Sequence, residues 1–517
     1  MSGQSSRTGN TIKNATSSLF AQGLTAVLQF VCRSIFIKCL GNSYLSFDGL
    51  FSNILTMLSL AELGFGEAII FCLYKPLAEN DKKKIKALMD YYAKVYKIVS
   101  CVILLIGICV IPFFPYIMKD PPAVKESIYI IYFLFLLNTV SSYLLIYKQS
   151  ILIADQKSYI VNSIKMFVSI ITIVIQIIFL LLTKNYIVYL VISIAITIFT
   201  NVAVSIFANK KYPAIKEKAK VNLDSETRKT ISINVKSLLL YKIGTMLVTG
   251  VDNLLISSFI GVLSVGIYSN YSLVINKAGT IFRTVVTSST GSIGNLNATE
   301  TNDYKEKICR VMLFVTFWVF GFASVGMFIL INPFIVFMAG EEYLFNTFTV
   351  LFLTLDFYLL GANSPMNVFR NAMGLYRYGK YRPMICAFVN LVVSLALIKP
   401  LGITGVVLGT FAARFGVTSW YEPLVVYKYG LNMKWKHYIT RFLLYFLTTL
   451  AICGLCYVIC LPFSDFTVIN FVIKTIVVTI VTNSIFILAF RKTEEFVFMC
   501  DLCKRLVKKV IKRKKHD

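Results

Sequence analysis

Apolar residues follow one another along this chain in long uninterrupted runs, separated by short polar segments rich in Lys and Arg. A run such as Ile160 to Leu182 has the ~20-residue length that a helix needs to cross a bilayer core. The ~10-residue alternating strands of a transmembrane barrel would not produce it. Reading each run this way predicts about fourteen helices, near 15–40, 49–74, 97–118, 126–147, 160–183, 186–208, 237–260, 266–290, 310–331, 345–366, 384–398, 402–427, 440–462 and 467–490. The eleventh is the shortest of them. The first ten residues are polar, and the apolar run after them is too long for a signal-peptide core and lacks a small-residue cleavage pattern, so it is expected to remain as the first helix.

Lys and Arg gather on one side of this map: Arg7 and Lys13, Lys75 to Lys97, Lys148 to Lys165, Lys210 to Lys236, Lys305 to Arg310, Arg370 to Arg382, Lys428 to Arg441, and the tail from Arg491. The other side holds Lys38, Lys119, Lys125, Lys184 and Lys399. Cytoplasmic loops retain the positive charge. Both termini are therefore expected in the cytoplasm, and the helix count is expected to be even.

Composition agrees with this map. Of 517 residues, 57% are apolar and only 15% charged, against ~45–50% and ~25% in soluble domains. The net charge of +27, from 52 Lys and Arg against 25 Asp and Glu, lies mostly between apolar runs rather than on a folded polar face, which argues against nucleic acid as a partner. Twelve Cys are scattered, several within apolar runs, and read as reduced structural thiols.

A repeat divides the chain. Gly49-Leu-Phe-Ser-Asn53 opens the second predicted helix and Gly266-Ile-Tyr-Ser-Asn270 the eighth, each a few residues after Leu40-Gly41 or Ile260-Gly261. Lys148 and Tyr159 match Arg370 and Tyr381 at a similar offset. Six helices lie between the copies, so the halves share one orientation. The expected organisation is a cytoplasmic N-terminus (1–14), a first lobe (15–208), a basic linker (209–236), a second lobe (237–428), two further helices (440–490) and a basic tail (491–517). Parallel repeats of this kind point to a transporter whose site lies between the lobes near mid-membrane.

Ionisable side chains inside a bilayer cost about 2.5–3.5 kcal/mol each even on insertion scales, so each must face a cavity or a partner. The map places Arg33, Lys277, Arg283 and Arg414 within spans, together with Glu62, Glu67, Asp252 and Asp356. Two readings stand: a water-filled cavity whose cations hold an anionic headgroup while carboxylates carry a proton or sodium ion, or cations and anions paired with each other as structural glue. Arg33 and Arg414 lead the first reading, because a guanidinium matches phosphate bidentately. Asn53 and Asn270, with Ser269, Asn363 and Asn367, are candidates for hydrogen bonds to sugar.

Other motifs carry less. Gly374 to Tyr381 nearly spells a phosphate-binding loop, but Tyr381 stands where the magnesium-binding hydroxyl belongs and no strand precedes it. Cys453-x-x-Cys456 and Cys500-x-x-Cys503 lack a second ligand pair at zinc spacing, so no metal site is expected. The tail from Lys504 to Lys515 alternates basic and apolar residues, as an interfacial helix on anionic lipid would, and also as a topology determinant would. With only His437 and His516, and with outer loops under about fifteen residues, neither a catalytic triad nor a large extracytoplasmic active site can be assembled, so catalysis is not expected.

Several segments resemble the Wzx-type polysaccharide flippases, in the polysaccharide-transporter branch of the MOP superfamily, relatives of MATE exporters and the lipid II flippase. They are Arg33-Ser-Ile-Phe36 with Leu40-Gly41, GLFSNIL (49–55), LAELGFGEAI (60–69), YKPLAENDKKKIKALM (74–89), VDNLLISSFIG (251–261), VGIYSNY (265–271), Arg382-Pro383 and Gly402-Ile-Thr-Gly405. Glu67 departs from the small residue expected after LGFG. The resemblance implies an all-α polytopic, MATE-like fold of about 14 helices, with two six-helix lobes in a V plus two C-terminal helices. It implies transport of undecaprenyl-diphosphate-linked oligosaccharide repeat units from the inner to the outer leaflet of a bacterial plasma membrane. It further implies a cationic cavity lined by Arg33, with Asp252 at the counterpart position, coupling in several relatives to H+ or Na+, and polysaccharide polymerase or export machinery as partners. Three rivals remain. A small-molecule exporter of the same fold would favour an aromatic, acidic lining over four intramembrane cations. A twelve-helix facilitator would show a different loop after helix 2 and no two further helices, and a membrane-embedded polymerase has no outer loop to house its chemistry.

Overall fold

The structure, a computed structural model, describes residues 23–501 except 60–65, 67–69, 71, 74, 75, 78, 156, 217–222, 224–230, 232–249, 288, 290–292, 294, 295, 298, 299 and 380. Among the described residues all regular structure is helical. Nine of these helices are long and apolar enough to cross a membrane, and ten if a bent pair counts as one span. The fold is all-α and polytopic, consistent with the fourteen helices expected.

Chain order runs α1 (Gly23–Leu40), α2 (Asn42–Leu58), α3 (Lys82–Val110), α4 (Ile128–Tyr143), α5 (Tyr147–Ala154), α6 (Ser158–Thr183), α7 (Tyr186–Lys211) and α8 (Gly250–Ile260). It continues with α9 (Val262–Thr287), α10 (Asn302–Met338), α11 (Thr347–Ala362), α12 (Ser364–Ala372), α13 (Arg382–Leu401), α14 (Ile403–Ala413), α15 (Ser419–Val425), α16 (Lys436–Cys460) and α17 (Val468–Phe490). Side-chain caps fix several starts by satisfying otherwise orphaned N–H groups. Asp81 accepts from Lys84 N at 3.0 Å, Asn185 from Ile187 N at 2.8 Å, Asn346 from Thr349 N at 2.8 Å, and Thr467 from Asn470 N at 3.2 Å.

Several boundaries differ from the hydropathy map, α10 (Asn302–Met338 against 310–331) among them, and two have a plain local cause. The basic segment before residue 97 is helical from Lys82, because the Asp81 cap and the Lys86–Asp90 ion pair at 2.6 Å carry the helix below its apolar part. At the other boundary, α2 starts at Asn42 with the single residue Gly41 between it and α1, since Gly41 at φ 81° reverses the chain by itself. Gly261 at φ 137° does the same between α8 and α9. These are the two glycines paired by the sequence repeat, and both adopt backbone conformations that an L side chain resists.

The chain divides after Ser269, inside α9. In the first unit, Phe51 stacks on Phe47 and Phe114 and meets the edges of Tyr132 and Phe135. The repeat motifs also meet there. A Cβ on Gly49 would sit 3.3 Å from Ser269 Cβ, and one on Gly266 would run into Asn42 and Ser46. Small residues thus let α2 and α9 approach closely, as they do in membrane helix pairs generally. In the second unit, α16 and α17 close on α10 through Phe317, whose ring lies 4.4 Å from Tyr445 and 4.5 Å from Phe486. The Phe320 ring occupies the space that a Cβ on Gly361 would need. Outer faces carry Leu181, Leu182, Ile206, Phe207, Val468, Ile469 and Leu488 exposed, an apolar covering suited to hydrocarbon rather than water.

Candidate functional site: charges within the spans

In the first unit, Arg33 lies two turns before the end of α1, where its guanidinium reaches α2 and α9 together. Nη1 donates to Asp48 at 3.3 Å and Nη2 to the Ser269 hydroxyl. Asp48 was not among the residues expected within a span, because the hydropathy run of the second helix begins at Gly49. The one-residue turn at Gly41 brings Asp48 inside the helix, and Arg33 supplies its countercharge. Aromatic rings surround this pair. Phe36 meets Tyr186 and Tyr189 edge-on at 5.6 and 5.3 Å, and Tyr44 packs on Tyr186 at 5.0 Å while donating to Glu126.

Asp252 is buried in α8 and accepts from the Tyr268 hydroxyl at 3.3 Å. Asn53 faces α8 at Gly250, where a Cβ would lie 3.5 Å from its Oδ1 and press on Met57. Glu62 and Glu67 lie outside the described residues.

The second unit holds the other pair. Arg414 Nη1 donates to the Asp356 carboxylate at 2.8 Å and to the Asp356 carbonyl at 3.0 Å. Local backbone positions both groups. Residues Arg414–Thr418 form a π-helical turn between α14 and α15, a distortion common at functional sites. Opposite, the α11–α12 helix breaks at Asn363, whose amide donates to Ser419 Oγ at 3.1 Å. Arg283 on α9 donates through Nε to Gly279 O at 3.2 Å, and Arg414 acts on it as a like charge. Arg414 is therefore paired with one carboxylate and repelled by a second guanidinium, Arg283, while the Asp356 Oδ1 is buried and has no hydrogen-bond partner among the described residues. Lys277 is half-buried on α9. Asn270 is fully buried, and Asn367 donates to Asn363 O at 3.2 Å.

The structure adds a buried cluster. Arg370 and Arg382 were counted among the basic segments of the cytoplasmic side, with no buried partner foreseen. They are instead buried on either side of Glu422, at 3.1 and 2.9 Å from its Oε1. Glu422 lies in α15, is fully buried, and was missed by the sequence reading. Hydropathy averages it away among Trp420, Tyr421 and Leu424, and nothing local announces two arginines that arrive from other helices.

Among the described residues no cluster of three or more His, Cys, Asp or Glu could hold a metal. Cys453 and Cys456 are buried in the α16 face of the aromatic core.

Solved structures share this fold. The lipid II flippase MurJ in an inward closed conformation is 18% identical over 92% of this chain and 99% of that one, with a TM-score of 0.67. A multidrug resistance MATE family transporter of the MOP superfamily, inward-facing, is 14% identical over 78% and 96%, with a TM-score of 0.62. The bent form of the Vibrio cholerae MATE transporter VcmN is 13% identical over 84% and 98%, with a TM-score of 0.55. No curated protein matches the sequence. The family model for polysaccharide biosynthesis proteins matches residues 11–290; the chain belongs to that family, and it carries the fold of the MOP-superfamily flippases and transporters.

Proposed function

We propose that this protein flips undecaprenyl-diphosphate-linked oligosaccharide repeat units from the inner to the outer leaflet of a bacterial plasma membrane, by alternating access, for cell-surface polysaccharide synthesis. The observation that carries the reading is the excess of guanidinium at Arg414, which pairs with Asp356 and is repelled by Arg283. Two guanidiniums with one paired carboxylate leave positive charge within the spans, which a diphosphate would neutralise with bidentate hydrogen bonds. Membership in a polysaccharide biosynthesis family supports a glycan as the cargo. A cation exporter would have no use for that excess.

Arg33 contributes the corresponding group in the first unit, and Lys277 a further charge. Asp252 or Asp356 is proposed to carry a coupling proton or sodium ion, with Glu62 as a third candidate. Both termini are proposed to face the cytoplasm. Anionic lipids are proposed partners of the tail, and a polysaccharide polymerase or export complex is the proposed receiver of the cargo.

Cells depleted of the protein and complemented with wild type, Arg33→Ala, Arg414→Ala or Asp252→Ala at matched membrane levels test the reading. Undecaprenyl-linked repeat units trapped inside, with the Arg variants failing to rescue, are the expected result. Absence of any trapped lipid-linked sugar on depletion would replace the reading with export of another cargo.

A further inference from the structure

One end of the second unit contains a cavity that the transport reading does not use. Its volume is about 410 Å³, and its walls include Glu306, Arg310, Tyr427, Lys434, His437 and Arg441. That volume falls in the ~300–1,000 Å³ range of small-ligand sites. The walls come from three elements: the first turns of α10, the segment leading from α15 into α16, and α16 itself.

Two of the cations are held rigidly. Glu495, nearly fully buried just beyond α17, binds both Arg310, at 2.9 Å, and Arg441. Glu306 fixes the other side of Arg310 at 2.8 Å. Lys434 and His437 are exposed at the rim and make no hydrogen bond or ion pair among the described residues. Glu494 also pairs with Arg310, at 3.4 Å, and with Lys307, at 2.6 Å, so Arg310, Arg441, Lys434 and Lys307 face Glu306, Glu494 and Glu495, and the one positive charge in excess stands at the rim on Lys434. Tyr427 donates to Glu306 Oε1 at 3.4 Å, which directs that carboxylate toward the wall.

The depth of the site matters as much as its charge. It lies where α10 and α16 begin and α17 has ended, at the Met433–Lys434 segment followed by Trp435, whose ring meets that of Trp420 at 6.5 Å. Tryptophan gathers at the headgroup level of a bilayer. A positive cavity at that level, walled by prepositioned guanidiniums, fits a phosphate ester.

We infer that this cavity binds the phosphate of an anionic phospholipid headgroup, at a site separate from the intramembrane arginines. The same chemistry would accept free phosphate. The two sources differ in what must accompany the phosphate, since a lipid brings acyl chains to the apolar outer faces of α10 and α16.

The test uses the full-length protein in neutral detergent, with bound lipid counted by native mass spectrometry after addition of phosphatidylglycerol or phosphatidylcholine, with or without millimolar inorganic phosphate. Lys434→Glu is the first variant, because Lys434 has no internal partner to lose. His437→Ala is the second, and Lys399→Glu, at the opposite end of the helices, is the control. Phosphatidylglycerol should be retained over phosphatidylcholine, and Lys434→Glu should reduce that retention about fivefold or more, as one lost cation near a lipid surface does, while Lys399→Glu should not. Phosphate that displaces the lipid while Lys434→Glu weakens both would assign the cavity to free phosphate and overturn the lipid assignment. Equal retention of the two lipids, or a Lys434→Glu variant that holds phosphatidylglycerol as wild type does, would remove the site altogether.

Discussion

Asp356 and Arg414 are where the two readings of the intramembrane charges part. If the pair exists only to neutralise itself, Asp356→Asn leaves a guanidinium without its countercharge and should lower the unfolding temperature in detergent with no effect on ligand. If Arg414 exchanges its carboxylate for a diphosphate, Asp356→Asn removes an internal competitor, and binding of a lipid-diphosphate analogue should tighten by about threefold or more. We expect the second outcome, because Arg283 already supplies like charge there and a net cation needs an anion to relieve it. Fluorescence titration with the analogue, beside thermal unfolding of the same samples, separates the cases. Arg33 with Asp48 provides the parallel measurement in the first unit. Its outcome need not match, because Ser269 also accepts from Arg33.

At the scale of elements, the contact between α2 and α9 depends on what is missing from two side chains. Gly266 has Asn42 and Ser46 where a Cβ would go, so Gly266→Ala overpacks the crossing and should cost about 1–3 kcal/mol. Gly261→Ala makes only an ordinary contact, 3.7 Å from Lys119 O, but has a φ of 137°, and should cost about 1–2 kcal/mol through backbone strain. Both are read by thermal unfolding in detergent, and Gly454→Ala, with nothing nearby for its Cβ to meet, should be close to neutral. The segment beyond α17 offers a pH experiment. The hydrogen bond from Lys307 holds the Glu494 carboxyl below its ordinary value near 4.5. A depressed carboxyl contributes its attachment fully above that value and loses it as pH falls through the lower folded one. Hydrogen-exchange protection in residues 493–501, taken relative to the intrinsic rate at each pH, should therefore stay constant from neutrality down to about pH 4.5, and should fall only below it.

The elements themselves were legible because a bilayer forces every spanning segment to be apolar and internally hydrogen-bonded. Runs such as 467–490 or 186–208 could be placed almost to the residue, and the Gly41 and Gly261 turns showed through the repeat. Charges were legible only where hydropathy set them inside a run. Arg414 and Asp356 were found that way. Asp48 was lost by a single residue at a helix start, and Arg370, Arg382 and Glu422 were lost because their burial is made by helices far apart in sequence, which no local window sees.

For the whole molecule, the proposed outward transport agrees with electrostatics. A diphosphate headgroup carries about two negative charges, and moving each outward across 100 mV, inside negative, releases ~2.3 kcal/mol. The potential could then supply roughly 4–5 kcal/mol for export, with no chemical step, provided the headgroup's charge crosses uncompensated. The protein's own cations oppose this, because an Arg283 and Arg414 cluster that moved outward with the headgroup would cancel its charge. A cluster that stays fixed while access alternates would leave the full gain. Proteoliposomes holding the purified protein, a fluorescent lipid-diphosphate oligosaccharide and a potassium gradient with valinomycin distinguish the two. With fixed cations, outward flipping should accelerate severalfold when the potential is set inside negative and slow when it is reversed, at constant pH and sodium. Insensitivity to the potential, joined to dependence on a proton or sodium gradient, would instead show that the arginines travel with the cargo and that the acidic residues Asp252 and Asp356 carry the driving ion.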